Sequence, residues 1–71
     1  MSMSEKELIV YERAIDLGKR MGFVRVSLLQ RHLGLGYTAA TRIITQMIES
    51  GLVVVDPQPN KTYKMKAESD E

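Results

Sequence analysis

The residues with the most suggestive spacing are three threonines and one arginine in the second half of the chain. Thr38, Thr41, Arg42 and Thr45 recur at intervals of three and four residues, the repeat of one helical face. Hydroxyl and guanidinium groups hydrogen-bond the edges of nucleic-acid bases, and a helix with slim side chains fits a groove about 12 Å wide. We therefore predict base contacts from five residues: Arg42, Thr38, Thr45, Thr41 and Ala39.

A second set of residues carries hydrogen-bond donors suited to phosphate oxygens. These residues precede the threonine-bearing helix, open it, or lie in the basic segment near the C-terminus. They are Tyr37, Arg31, His32, Ser27, Arg25, Asn60, Lys61 and Lys64.

Each of these assignments has a simpler alternative. The threonines could form an ordinary solvated helix face, with Arg42 paired to Gln46 or Glu49. The ring of Tyr37 could pack in the core. Basic residues near an edge strand could serve only to block aggregation.

Catalytic and metal chemistry find little support among the residues of the chain. There is no cysteine and one histidine, His32, so neither a thiolate nucleophile nor a histidine-rich metal site can form. Gly34 and Gly36 lack the preceding strand and the lysine of a phosphate-binding loop. A chain of 71 residues also buries too small a core for a deep catalytic pocket. We expect no enzyme activity, no metal and no cofactor.

The charge distribution favours a polyanionic partner. Residues 1–22 hold four basic and four acidic residues, residues 23–66 hold six basic and two acidic ones, and residues 67–71 hold three acidic ones. The central segment therefore carries +4 although the whole chain carries +1, which suits nucleic acid. No apolar run exceeds four residues, so we expect a cytoplasmic protein without a membrane segment.

Start signals and apolar periodicity predict two helices in the first half. Ser4 and Glu7 form a capping box for a first helix that Gly22 ends. Ser27 and Gln30 repeat the capping-box pattern before a short second helix. The residues expected to face inward share one side of each wheel: Leu8, Tyr11, Ala14, Ile15, Leu17, Gly18 and Met21 in the first helix, with Ile9 as the exception, and Leu29 and Leu33 in the second.

Residues 37–50 form the clearest amphipathic stretch and predict a third helix. Its expected core face holds Ala40, Ile43, Ile44 and Met47, and its outer face holds Thr38, Arg42, Thr45 and Glu49. Residues 23–26 read as extended, residues 52–55 as a strand, residues 56–60 as a turn, and residues 62–65 as a strand pairing back onto 52–55.

This order of elements predicts an α+β, mainly α fold, a winged helix-turn-helix over residues 4–66. In such a fold the third helix enters the major groove, the second braces it, and the hairpin wing meets the backbone. Residues 1–3 are expected to be flexible, and residues 67–71 to be an acidic disordered tail.

Residues 26–53 resemble the gamma domain of the bacterial DNA translocase FtsK. The resemblance is carried by Gln30-Arg31, by Gly36-Tyr37 at the start of the third helix, by residues 40–47, and by Gly51 before the wing. It implies a winged helix that binds a short, G-rich, non-palindromic motif in double-stranded DNA. It also implies several copies side by side and contact with a recombinase or translocase.

Within this resemblance, Arg42 matches an arginine that reaches guanine. Thr38 and Thr45 stand where the family usually has an asparagine and a glutamate, so an altered motif is expected. Asparagine suits adenine, whereas a threonine methyl can meet a thymine methyl. No P-loop or motor is present, so the resemblance implies an accessory, regulatory or competing DNA binder, plasmid or mobile-element borne.

Two other functions stay open at this point. A winged helix can bind a protein instead of DNA, but this needs exposed Leu, Met, Tyr or Trp anchors, which the outer face of the third helix lacks. A dimeric repressor on a palindromic operator needs a self-association surface, for which Ile9, Met1 and Met3 are the spare apolar residues.

Overall fold

The computed structural model describes residues 4–54 and 62–66. Three helices and two short strands follow one another as α1 (Glu5–Met21), β1 (Phe23–Val24), α2 (Val26–Leu33), α3 (Tyr37–Glu49) and β2 (Tyr63–Lys64). The α+β, mainly α fold expected of a winged helix is thereby confirmed. The predicted flexible N-terminus and acidic tail lie outside the described residues, as does the predicted turn at 56–60.

Helix α1 begins and ends where the sequence predicts. The amide of Glu7 donates to the Ser4 hydroxyl at 3.2 Å, and the amide of Ser4 donates to the Glu7 carboxylate at 3.1 Å. This reciprocal pair satisfies two backbone donors that the first turn leaves free. At the other end Gly22 has φ 87°, a left-handed conformation that closes the helix on the Gly18 carbonyl.

The predicted capping box at Ser27 is wrong. Helix α2 begins at Val26, its N-cap is Arg25, and no side chain caps it. With Ser27 as N-cap the helix would begin at Leu28. The start at Val26, two residues earlier, places Val26 on the same face as Leu29 and Leu33, since successive members of this set are three and four residues apart. Val26 packs against the core, and Leu29 is fully buried. This burial outweighs a hydroxyl cap worth about 1 kcal/mol.

Strand β2 has two partners, and sequence analysis predicted one of them. It pairs antiparallel with β1, with Phe23 opposite Lys64 and Val24 opposite Tyr63. On its other edge, Val53 forms a single bridge with Met65, and the amide of Val54 donates to the Lys64 carbonyl at 2.7 Å. In the described segments, the predicted pairing of residues 62–65 with 52–55 thus consists of this bridge. The pairing of β2 with β1 was not predicted from the sequence.

The core lies where the three helices meet the sheet. Its buried members come from every helix, from β1 and from the segment after α3: Ala14, Leu17, Val24, Leu29, Ala40, Ile43, Ile44, Met47 and Val53. The core face predicted for α3 is therefore confirmed. Leu8 and Met21 were expected inside but are 46% and 45% exposed.

The sheet approaches α1 at Gly18. A Cβ on this residue would lie 2.7 Å from both the Met65 sulfur and a methyl of Val24. A side chain at this position would therefore push the sheet away from the helix. Among the described residues, no helix is both long and apolar enough to cross a membrane.

Candidate nucleic-acid interface

The outer face of α3 is the polar surface that the helical repeat predicts. Packing of Ala40, Ile43, Ile44 and Met47 against the core fixes the rotation of the helix. The opposite side chains are therefore exposed, and they are Thr38, Ala39, Arg42, Thr45 and Glu49. From here on, the outer face of α3 means Thr38, Ala39, Arg42 and Thr45. Contact of its members with bases stays a prediction.

Thr41 differs from the other two threonines. Its hydroxyl donates to the carbonyl of Thr38 at 2.8 Å, and the side chain is half-buried. Since the hydroxyl proton is used within the helix, the oxygen remains available mainly as an acceptor. Thr41 is therefore less suited to base contact than Thr38 and Thr45.

Arg42 pairs with α1 and not with its own helix. One of its terminal nitrogens lies 3.7 Å from a Glu7 carboxylate oxygen, and the two side chains are 70% and 47% exposed. The alternative of a pair with Gln46 or Glu49 is therefore wrong. The contact is non-local, because the two residues are 35 positions apart in the sequence and the packing of α1 against α3 brings them together.

An open groove of about 580 Å³ runs between the start of α1 and α3. Lys6, Glu7 and Val10 line it from α1, and Ala39, Arg42 and Thr45 line it from α3. The sequence does not single out Lys6 and Glu7 as residues of this surface. The sequence gives little reason to assign them a binding role, because the capping box already accounts for Glu7 and residues 1–22 carry no net charge.

Tyr37 opens α3 with its ring in solvent. It is 65% exposed, so the alternative of core packing is wrong. The N-cap before it, Gly36, gives no side-chain hydrogen bond. The phenol hydroxyl is thus accessible to an outside acceptor such as a phosphate oxygen.

Helix α2 presents three of the predicted phosphate contacts to solvent. Ser27, Arg31 and His32 are all exposed. The His32 Nδ1 lies 3.2 Å from the Leu28 carbonyl oxygen, and because a carbonyl only accepts, this hydrogen bond requires the tautomer with a proton on Nδ1. Their contact with phosphate stays a prediction.

The basic residues near the sheet divide into two groups. Arg25 is half-buried, its guanidinium carbon lies 5.8 Å from the centre of the Phe23 ring, and its Nε is buried without a hydrogen-bond partner. Much of its side chain is thus used in packing. Lys64 is exposed on β2. Asn60 and Lys61 lie outside the described residues.

The sequence that forms these helices matches a known protein family. A family model described as the FtsK gamma domain matches residues 5–62, which spans all three helices and the approach to β2. The chain belongs to the FtsK gamma domain family. At the level of the family, this is a DNA-reading winged helix and not itself a catalytic domain.

One curated relative agrees with this assignment. The chain is 39% identical over 44 residues to DNA translocase FtsK 2 of Ralstonia nicotianae (strain ATCC BAA-1114 / GMI1000). The aligned segment is 62% of this chain and 6% of the relative, so this FtsK gamma domain spans a small part of that translocase. The comparison with solved structures found no match.

In residues 4–54 and 62–66, no three His, Cys, Asp or Glu side chains are grouped so that they could hold a metal ion. The outer face of α3 carries basic and hydroxyl-bearing side chains, and α2 and β2 carry further exposed hydrogen-bond donors.

Proposed function

We propose that this FtsK gamma domain binds double-stranded DNA sequence-specifically, with α3 in the major groove and a short G-containing motif as its target. The observation that carries the proposal is the outer face of α3, where an exposed arginine stands among small polar side chains. A helix of 13 residues is about 20 Å long. Small side chains let such a helix enter a groove about 12 Å wide.

Arg42 is the centre of the proposed base recognition. A guanidinium can donate two hydrogen bonds to the O6 and N7 of guanine, the commonest specific contact in the major groove. Thr38 and Thr45 flank it on the same face, and each offers a hydroxyl and a methyl. Ala39 adds a surface that permits close approach, whereas Thr41 contributes through its free lone pair.

Phosphate contacts would hold α3 in register. The support comes from exposed donors on three elements: Tyr37 at the start of α3, Ser27, Arg31 and His32 on α2, and Lys64 on β2. Arg25, Asn60 and Lys61 belong to the same proposed set. Such contacts make up half or more of protein–DNA hydrogen bonds, and they fix orientation without reading sequence.

The role we propose is that of a non-catalytic accessory or regulatory factor in the bacterial cytoplasm, plasmid or mobile-element borne. Several copies would sit side by side on DNA, and a recombinase or translocase would be a further partner. These parts of the proposal extend the family's DNA binding to this chain.

Selection of bound duplexes from a random pool, at several salt concentrations, tests this proposal. The wild type should enrich a G-containing motif, and Arg42→Ala should lose it, because a bidentate contact discriminates by about 1–3 kcal/mol. Arg13→Ala is the matched control, since it removes an equal charge from an exposed position on α1. Failure of the wild type to enrich any motif at any salt concentration would refute sequence-specific binding.

Protein docking is the competing function, and exposed apolar residues favour it. Leu8 and Ile9 on α1 are 46% and 52% exposed, and Tyr37 is exposed at the start of α3. Tyrosine and leucine side chains can anchor a protein partner. Tyr37→Phe separates the two functions. If the Tyr37 hydroxyl contacts a phosphate, its loss should weaken duplex binding. If the ring instead docks onto a protein, phenylalanine keeps the apolar surface, and binding of that protein should be retained.

A further inference from the structure

Glu7 is held in place from two sides. Its Oε1 accepts a hydrogen bond from the Ser4 amide at 3.1 Å, while its Oε2 lies 3.7 Å from a terminal nitrogen of the Arg42 guanidinium. The capping box therefore fixes the carboxylate to the first turn of α1, which packs against α3. Arg42 has a long and flexible side chain, so a fixed partner reduces the number of conformations that it samples.

The ion pair leaves Arg42 able to make further contacts. A guanidinium has five N–H donors, and the contact with Glu7 involves one terminal nitrogen. The remaining donors can meet a guanine edge while the pair persists, since Arg42 is 70% exposed on the outer face of α3. An unpaired arginine would also bend towards phosphate oxygens, which surround every base pair regardless of sequence.

We propose that Glu7 is a positioning residue that sets DNA specificity by holding Arg42 towards a guanine edge and away from phosphates. This inference rests on the proposed duplex binding. With Glu7 present, binding at a guanine keeps the ion pair, whereas binding at a phosphate breaks it. The specificity of base recognition by α3 then depends on a residue of α1.

Glu7→Gln is the informative variant. Glutamine keeps the capping box, because Gln serves as well as Glu at this position. It removes the charge that attracts Arg42. Glu5→Gln is the matched control, since Glu5 lies in the same first turn and carries the same charge, whereas the ion pair is formed by Glu7.

Fluorescence anisotropy compares two duplexes: the motif recovered by selection, and the same motif with its G·C pairs replaced by A·T. Glu7→Gln should lower the ratio of the two affinities by about 1.4-fold to fivefold, which corresponds to the free energies of exposed ion pairs. It should also steepen the salt slope of binding to the altered duplex by about one, because Arg42 then makes one more phosphate contact there. Glu5→Gln should change both affinities by the same factor and leave the ratio unchanged.

The double variant Glu7→Gln with Arg42→Ala identifies the route of the effect. Without Arg42, Glu7→Gln should leave the ratio unchanged. Equal ratios for wild type and Glu7→Gln, in a wild type that does select a motif, would overturn this inference alone. A wild type that binds no duplex would overturn both this inference and the proposed function.

Discussion

Gly18 is where a single added methyl group should be most informative about the fold. It lies in α1 facing the sheet, and a Cβ there would stand 2.7 Å from both the Met65 sulfur and a Val24 methyl. Two effects oppose each other in Gly18→Ala. Alanine gains about 1 kcal/mol of helix propensity over glycine. Overpacking of a filled core costs about 1–3 kcal/mol.

The two neighbours differ in how easily they can move. The Met65 thioether is the end of a flexible side chain and can rotate aside. Val24 is fully buried and β-branched, so its methyl group has few other positions. We therefore expect the overpacking term to exceed the propensity term, with a net loss of about 1 kcal/mol in the free energy of unfolding.

Thermal or urea unfolding followed by circular dichroism measures this difference. A loss of 1 kcal/mol lowers the Tm of a domain of this size by about 4–8 °C. In a Val24→Ala background the obstructing methyl is gone, so Gly18→Ala should there be neutral or stabilising. An increase of about 1 kcal/mol on Gly18→Ala in the wild type would show that the sheet does not press on α1 and would refute the reasoning.

Three further predictions concern the core, a helix cap and the wing. Leu29→Ala should lower the free energy of unfolding by about 2–5 kcal/mol, because Leu29 is fully buried, and a loss below 1 kcal/mol would contradict this burial. Ser4→Ala should cost about 1 kcal/mol in urea unfolding through loss of the cap, whereas Ser27→Ala should cost little, and equal losses would contradict the assignment. Lys64→Ala should reduce the salt slope of duplex binding by about one without changing the preferred motif, and an altered motif would argue against a phosphate contact.

Local signals in the sequence were sufficient for much of α1 and α3. The Ser4 capping box, the left-handed Gly22 and the apolar repeat of residues 40–47 each involve residues a few positions apart. Such signals do not depend on the rest of the fold. They place the helix ends and the outer face of α3 without knowledge of the neighbouring elements.

Other features depend on contacts between distant segments. Ser27 has the residue types of a cap, but burial of Val26 decides where α2 begins. The pairing of β1 with β2 joins residues about forty positions apart, and the strands are only two residues long. The Glu7–Arg42 contact likewise depends on how α1 packs against α3. No periodic pattern along the chain encodes these contacts.

The position of β2 between β1 and the segment after α3 has a consequence for synthesis. The main-chain groups of Gly22 and Leu52 find their partners in Met65 and Lys66. During translation both segments emerge before these partners, at about 5–20 residues per second. These two hydrogen bonds can therefore form only after the chain has been made past Lys66, so the sheet is the last part of the described fold to be completed.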